Sequence, residues 1–425
     1  MNQVELDAGE IKEVLTYTVD NNRHIQEKGL TPIATEIIGD SGLGKTSISL
    51  QLAKELGMNH VKLNLAQLEE LGDLIGYPGR QFELIKPGGV VGTVIRKLVP
   101  QADGTKKLIE EKVAGNVEKV WIDELAVSEY TKLGYKFTGQ KRMSYSPPEW
   151  IAGKTGGGFL ILDDWNRADI RFIQAVMELV DRQEYISWKL PKDWHIILTA
   201  NPDNGEYLVN AIDNAQKTRF MSITMKWSVE RWGEWAEKNG IDNRCINFML
   251  MHGNEVVQGN VNPRSLTNFF NSISSMNNFE DRLALIQNLG EGSVGPEVAT
   301  MFSVFIANRM DQWIHPKEIL MNPDEKHVIT VLNEMFTQGT EDNPNEYRAD
   351  IASVLGARLI NFALYHAENN PITPEIISRI TNIVKAKDLF TDDLNYHIVK
   401  KLLAGNKNKF KLLVKDSDMQ ELATK

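Results

Sequence analysis

The sequence predicts an α/β fold built on a parallel sheet and completed by an all-helical C-terminal half. Three observations carry that expectation. An apolar segment, Ile33 to Ile38, runs into a glycine-rich loop and then into a helical pattern. Strand-like and helix-like segments go on alternating to about residue 226, the habit of parallel sheets covered on both faces. Beyond Trp227 the strand signals almost stop, and helical periodicities run to the end. The expected division is an α/β core over 1–226 with an insertion at about 76–157, a helical lid over 227–315, and a helical extension over 316–425.

The elements follow in order. Ile11, Val14, Leu15 and Val19 share one face of a helix expected near 7–28. After the glycine-rich loop, Ile48, Leu52 and Leu56 line a second helix that Gly57 stops. His60 to Leu65 reads as a strand, and Leu68, Leu71 and Leu74 as a short helix. From Ile75 to Gly158 the pattern loosens. Val94–Val99 and Lys107–Lys112, around Gln101-Ala102-Asp103-Gly104, suggest a β-hairpin. Phe159–Leu162 is a buried strand, and 169–182 an amphipathic helix striped by Ile173, Val176, Met177 and Val180. Tyr185–Leu190, His195–Thr199 and Met221–Met225 are further strands. The polar run Thr337–Asn345 reads as a loop.

Composition sets outer limits. A chain of 425 residues has room for two or three compact units. With 42% hydrophobic and 24% charged residues it has the balance of a soluble globular protein. No run approaches a membrane span and no apolar signal region opens the chain, so the expectation is a cytoplasmic protein without a membrane partner. The single cysteine, Cys245, excludes an internal disulfide and a cysteine cage for a metal, and is expected to be buried. The eight histidines include no pair at metal-ligand spacing. A net charge of −10 argues against broad nonspecific nucleic-acid binding and leaves a local basic patch open.

The run Gly39-Asp40-Ser41-Gly42-Leu43-Gly44-Lys45-Thr46, followed by Ser47, carries the chemistry. Strand, glycine-rich loop, Lys-Thr and helix in that order is the context of a phosphate-binding loop. Glycines let backbone N–H groups converge on phosphate oxygens, and the new helix presents its positive end there. Lys45 is placed to reach the β- and γ-phosphates of a nucleoside triphosphate, and the Thr46 hydroxyl to hold Mg²⁺. Gly153-Lys154-Thr155 is a decoy: Pro148 stands where the earlier glycine belongs, and glycines rather than a helix follow.

Such a site needs a carboxylate at the end of a second buried strand. Val120-Trp121-Ile122-Asp123-Glu124 and Leu160-Ile161-Leu162-Asp163-Asp164 both fit. Context favours Asp163 and Asp164, because a helix, a hairpin and a strand ending Thr199-Ala200-Asn201-Pro202 follow them. That succession places a polar Asn201 at the tip of the next strand. Asp123 and Glu124 then belong to a surface insertion.

Six motifs in this order resemble an AAA+ ATPase of the MoxR and dynein-related branch, over roughly residues 1–310. They are the loop at 39–46, Pro147-Pro148-Glu149-Trp150, Leu162 to Ala168, Leu198 to Pro202, Ala215-Gln216-Lys217-Thr218-Arg219-Phe220 and Val261-Asn262-Pro263-Arg264-Ser265-Leu266. The resemblance implies a three-layer P-loop core, a helical lid and a hexameric ring that binds Mg·ATP between subunits. It makes Asp163 the metal-shell carboxylate, Asn201 the sensor 1 residue, Arg219 the arginine finger acting on a neighbour and Arg264 the sensor 2 arginine. It also implies a protein client, recruited in many members through a von Willebrand A-type adaptor. Plainer readings stand beside these roles: a salt bridge for Arg219, a helix N-terminal charge for Arg264, and a turn for Asn201-Pro202. The family usually has glutamate where Asp164 stands, so the resemblance implies slow hydrolysis with nucleotide binding kept. No motif decides between ATP and GTP.

Weaker signals remain. Lys132, Lys136, Lys141 and Arg142 interleave with Tyr130, Tyr135, Phe137 and Tyr145 in the insertion, a makeup that suits single-stranded nucleic acid or a solvated protein-contact surface. Lys400, Lys401, Lys407, Lys409, Lys411 and Lys415 read as a solvated face or mobile tail. Trp227, Trp232 and Trp235, at near-helical spacing, are expected in the lid core.

Overall fold

The computed structural model describes residues 4–86, 94–100, 106–112, 118–309, 312–337, 346–386, 389–415 and 419–420. In chain order, β1 (Val4–Leu6) and α1 (Ala8–Glu27) precede β2 (Ala34–Ile38), α2 (Lys45–Glu55) and β3 (Asn59–Asn64). Next come α3 (Leu71–Ile75), β4 (Pro78–Lys86), β5 (Val94–Pro100), β6 (Lys106–Lys112), β7 (Glu118–Asp123), α4 (Val127–Lys132) and β8 (Lys136–Tyr145). Then follow β9 (Gly158–Asp163), α5 (Ile170–Arg182), β10 (Glu184–Tyr185), β11 (Trp188–Lys189), β12 (Trp194–Ala200), α6 (Asn214–Lys217) and β13 (Phe220–Met225). Helices occupy the rest of the described chain: α7 (Val229–Lys238), α8 (Asn243–Val256), α9 (Pro263–Ile273), α10 (Leu283–Val294), α11 (Pro296–Ala307) and α12 (Pro316–Met321). The last are α13 (Glu325–Thr337), α14 (Ala349–Asn369), α15 (Pro374–Lys385), α16 (Asp392–Gly405) and α17 (Lys407–Phe410). The fold is thus α/β with a parallel sheet, followed by an all-α part.

The chain forms two compact units. One comprises residues 14–38 and 49–222. Its sheet runs β2-β12-β9-β3, each neighbouring pair parallel. Every residue of β9 and β12 is buried, as central parallel strands require. Side chains alternate between the two faces. Leu160, Leu162, Ile196 and Leu198 pack with Ile173, Val176 and Val180 of α5. Their alternates Phe159, His195 and Ile197 line a small void with Leu15 and Val19 of α1. Helices therefore cover both faces of this sheet.

The loosened stretch holds more structure than its pattern predicts. β4 lies between β7 and β8 in an antiparallel sheet whose core is Leu84, Ile122 and Tyr135. The first eight residues of β8 are all exposed, so it shows no apolar alternation to read. β5 and β6 pair antiparallel as the expected hairpin, and its turn lies outside the described residues. The stretch Tyr185–Leu190 is not one strand: the two-residue arms β10 and β11 pair across Ile186 and Ser187.

The other unit comprises residues 1–13, 39–48 and 223–425. β1 pairs parallel with β13, Val4 opposite Ile223. At three residues β1 is too short to have shown a pattern. Phe248, Phe269, Phe270 and Phe302 centre the core of α7–α11. Leu332, Leu355, Leu359, Ile380, Leu402 and Phe410 belong to the core of α12–α17. Cys245 is buried and free. Trp232 is buried and Trp227 packs partly against the α7–α11 core, but Trp235 is 37% exposed and corrects the expectation for that residue. Lys409 is also no tail residue, for its ammonium donates to the carbonyls of Ala367 and Asn370 at the end of α14. Lys400, Lys401, Lys407, Lys411 and Lys415 are exposed. Apart from Thr337, which ends α13, the expected loop Thr337–Asn345 lies outside the described residues. Among the described residues no helix is long and apolar enough to cross a membrane.

Candidate nucleotide site

The glycine-rich loop leaves the carboxyl end of β2, and α2 starts at Lys45. Gly42 and Gly44 have φ of 82° and 98°, a left-handed backbone that glycine adopts without a Cβ clash. Gly42 has a second reason to lack a side chain. A Cβ there would strike the Asn262 side chain and lie 3.1 Å from Cβ of Arg264. At Gly39 a Cβ would come within 3.0 Å of the Met225 carbonyl oxygen. Lys45 is 7% exposed, and its ammonium folds back to donate to the carbonyls of Gly39 (2.6 Å) and Asp40 (2.9 Å). The first turn of α2 carries no acidic residue, which leaves its positive end available to an anion. Asp40, Ser41, Leu43, Thr46 and Ser47 complete this run.

The stretch Val261–Leu266 reaches the loop through local capping. The Asn262 side chain accepts from the Ser265 N–H at 3.0 Å, and Ser265 Oγ accepts from the Asn262 N–H at 3.1 Å. With Pro263 at the first helical position, this box starts α9 and puts exposed Arg264 one residue inside it. The structure thereby brings together Gly42, Asn262 and Arg264, all within one unit.

In the other unit the acidic pair sits at the carboxyl end of β9. Asn64 of β3 is level with Asp163, and Leu198 of β12 with Leu162. Thr199 Oγ1 donates to Asp163 Oδ1 at 2.5 Å, and Lys62 Nζ lies 2.8 Å from Asp163 Oδ2. Asp164 takes a left-handed backbone, φ 52° and ψ 35°, and its Oδ1 accepts from Asn201 Nδ2 at 3.1 Å. Asn166 donates to the Asn201 carbonyl at 2.8 Å, and Asn210 donates to the carbonyls of Asn166 (3.1 Å) and Ala168 (2.7 Å). This ladder of asparagines fixes Asn201 beside Asp164. β12 also pairs with β2, Ala200 level with Ile38. Asp123 instead ends β7 of the antiparallel sheet, where its carboxylate accepts from Gln81.

Behind the acidic pair lies a buried carboxyl. Glu36 of β2 is 5% exposed and accepts from Trp165 Nε1 (2.9 Å) and the Ser222 hydroxyl (2.6 Å). Burial pushes its pKa above the ordinary glutamate value, although both hydrogen bonds pull the other way. Arg219 pairs with Asp181 at 2.6 Å and donates to the Ala215 carbonyl at 3.0 Å.

Lys62, Asn210 and Glu36 join these clusters from outside every motif, and Asn166 and Thr199 from within motifs that gave them no role. A lysine in a parallel strand and a glutamate inside the apolar run Ile33–Ile38 were the available signals. Each in its own unit, Thr46 and Asp163 carry hard oxygen donors of the kind Mg²⁺ prefers. Among the described residues no group of three or more His, Cys, Asp and Glu forms a self-sufficient metal cage.

No family model and no curated protein matches the chain. Among solved structures the chain is similar to RuvB of Thermotoga maritima. A point mutant of that protein matches at 10% identity over 86% of this chain and 91% of its own, with a TM-score of 0.33. The structure described as a Holliday junction branch migration motor matches at 11% identity over 86% and 90%, with a TM-score of 0.32. Likeness that distant says nothing of activity.

Proposed function

We propose that this protein is an AAA+ type ATPase of the MoxR-like kind, which binds Mg·ATP at subunit interfaces of a hexameric ring and works on a protein client. The observation that carries the reading is the loop Gly39–Thr46: two glycines at positive φ, a buried lysine turned into the loop, and a helix start. In this reading the backbone N–H groups of 39–47 and the Lys45 ammonium hold the β- and γ-phosphates. Lys45 exchanges the carbonyls of Gly39 and Asp40 for phosphate oxygens. Thr46 and Asp163 would hold Mg²⁺, which when bound would supply positive charge against the phosphates and the leaving group. Asp164 and Asn201 orient the attacking water, and Arg264 adds positive charge from the helical part. Arg219 leaves Asp181 to act on the nucleotide of a neighbouring subunit, which makes turnover depend on assembly. We assign 1–226 to the core, 227–315 to the lid and 316–425 to a C-terminal helical extension.

A second reading is favoured by Asp164: a nucleotide-stabilised ring scaffold that scarcely hydrolyses. Its carboxylate is one methylene shorter than glutamate and is held by Asn201.

Calorimetry with Mg·ATP tests the common ground. Uptake by wild type and its loss in Lys45→Ala are expected; no uptake, or undiminished uptake by the variant, overturns both readings. Turnover with ATP and GTP, with and without DNA or RNA, then separates ATPase from scaffold. Stimulation by nucleic acid beyond about tenfold, a lowering of the barrier by roughly 1.4 kcal/mol, points instead to a nucleic-acid-dependent motor. Particle images with a slowly hydrolysed ATP analogue test the ring, and a client captured only in that state tests the remodelling role.

A further inference from the structure

We infer that Lys62 is a resident counter-ion for Asp163, a positioning residue that sets how much Mg²⁺ the site needs. This inference rests on the nucleotide reading above and adds to it a residue outside its motifs.

Asp163 is held from both flanking strands. Thr199 of β12, fully buried, takes Oδ1, and Lys62 of β3 takes Oδ2. The two partners differ in their freedom to leave. Thr199 is a short side chain locked inside the sheet. The Lys62 side chain is 43% exposed, whereas that of Asp163 is only 12% exposed. Lys62 lies two residues before Asn64, the residue level with Asp163, on an edge of this unit's sheet. Its four-carbon stem therefore reaches the carboxylate diagonally from the rim and can swing back into water.

A carboxylate this far out of solvent is costly to leave charged without a cation. Lys62 supplies a cation to it in the nucleotide-free protein. An ammonium and a divalent ion cannot share Oδ2 without strong repulsion at a few ångströms. Metal loading thus requires Lys62 to withdraw while Thr199 keeps its hydrogen bond and the carboxylate's orientation. The ion pair raises the Mg²⁺ level needed for loading. It also makes the metal arrive with the nucleotide, whose phosphates bring the extra negative charge, rather than alone.

The experiment is a Mg²⁺ titration of a fluorescent ATP analogue bound to wild type, Lys62→Met and Lys62→Arg. Lys62→Met is expected to lower the half-saturating Mg²⁺ roughly threefold to tenfold, the scale of a partly exposed charged hydrogen bond. Analogue affinity in EDTA should not change, and Lys62→Arg should keep the half-point at or above the wild-type level. In the absence of nucleotide, Mn²⁺ counted by the loss of its free-ion EPR signal should bind Lys62→Met more tightly than wild type. An unmoved half-point with analogue uptake intact overturns the inference alone. Weaker uptake of the analogue by Lys62→Met in EDTA also overturns it, because that result makes Lys62 a phosphate contact. Absence of uptake by wild type removes the nucleotide reading and this inference together.

Discussion

Asn201 Nδ2 donates to Asp164 Oδ1 across 3.1 Å, joining the tips of the two central strands β9 and β12. The Asp164 backbone is left-handed, and its N–H points at Thr199 Oγ1, 3.3 Å away. The carboxylate is therefore set by its neighbours before any substrate is present. Its short side chain makes that setting hard to change.

If the ATPase reading proposed above holds, Asp164→Glu raises ATP turnover, because glutamate extends the carboxylate by one methylene toward the water which that reading has it orient. A misplacement of about 1 Å costs on the order of 100-fold in rate, which bounds the gain. Steady-state phosphate release at saturating Mg·ATP is the measurement. A fast wild type slowed by the exchange would mean that Asp164 already stands in the right place.

Gly42→Ala and Gly44→Ala should differ although both glycines have positive φ. At Gly44 a Cβ meets nothing within 4 Å, so alanine costs only the left-handed backbone, about 1–2 kcal/mol. At Gly42 the same strain is joined by a clash with the Asn262 side chain and a tight contact with Cβ of Arg264. Nucleotide affinity by calorimetry should therefore fall further for Gly42→Ala. Equal losses would mean that the contact with the α9 cap does not matter.

The sequence made the parallel strands legible because their apolar runs are continuous, as in Phe159–Leu162, and the glycine-rich loop legible because its spacing carries its own chemistry. β8 escaped notice because an exposed strand has no periodicity, and β1 because three residues cannot show one. Among the candidate site residues, those with a motif position can be picked from the sequence: Lys45, Asp163, Asn201 and Arg264. Lys62 and Asn210 were not, because their partners lie far along the chain and only the folded sheet and loops bring them together. Thr199 lies inside the motif Leu198 to Pro202, but its role depends on strand register.

Glu36→Gln should change how stability depends on pH. Burial raises the Glu36 pKa in the folded protein above its unfolded value. The favourable, protonated state is therefore fully present below the unfolded pKa, and its contribution is lost as pH rises through the folded pKa. Glutamine keeps an acceptor for Trp165 and carries no charge, so its contribution should stay constant across that window. Melting temperatures taken from acidic to mildly alkaline pH should show wild type losing ground to Glu36→Gln as pH rises. Parallel curves for the two proteins would mean that the Glu36 pKa does not differ between folded and unfolded states.

Arg358 tests how the helical unit is held together. It is fully buried in α14 and pairs with Glu237 of α7 at 3.3 Å, while also donating to Asn247 of α8 at 2.8 Å and to Asn243. Removing one partner of a buried ion pair leaves an uncompensated charge, which costs about 3–5 kcal/mol. Arg358→Met should therefore destabilise this unit by that order in denaturant unfolding followed by tryptophan fluorescence. Adding Glu237→Leu removes the stranded carboxylate, so the double variant should recover much of the loss, since apolar replacement of a whole buried pair is often neutral. A single variant that loses less than about 1 kcal/mol would place this pair with solvent-screened surface bridges, and would leave the apolar core as the main tie of α14 to α7 and α8.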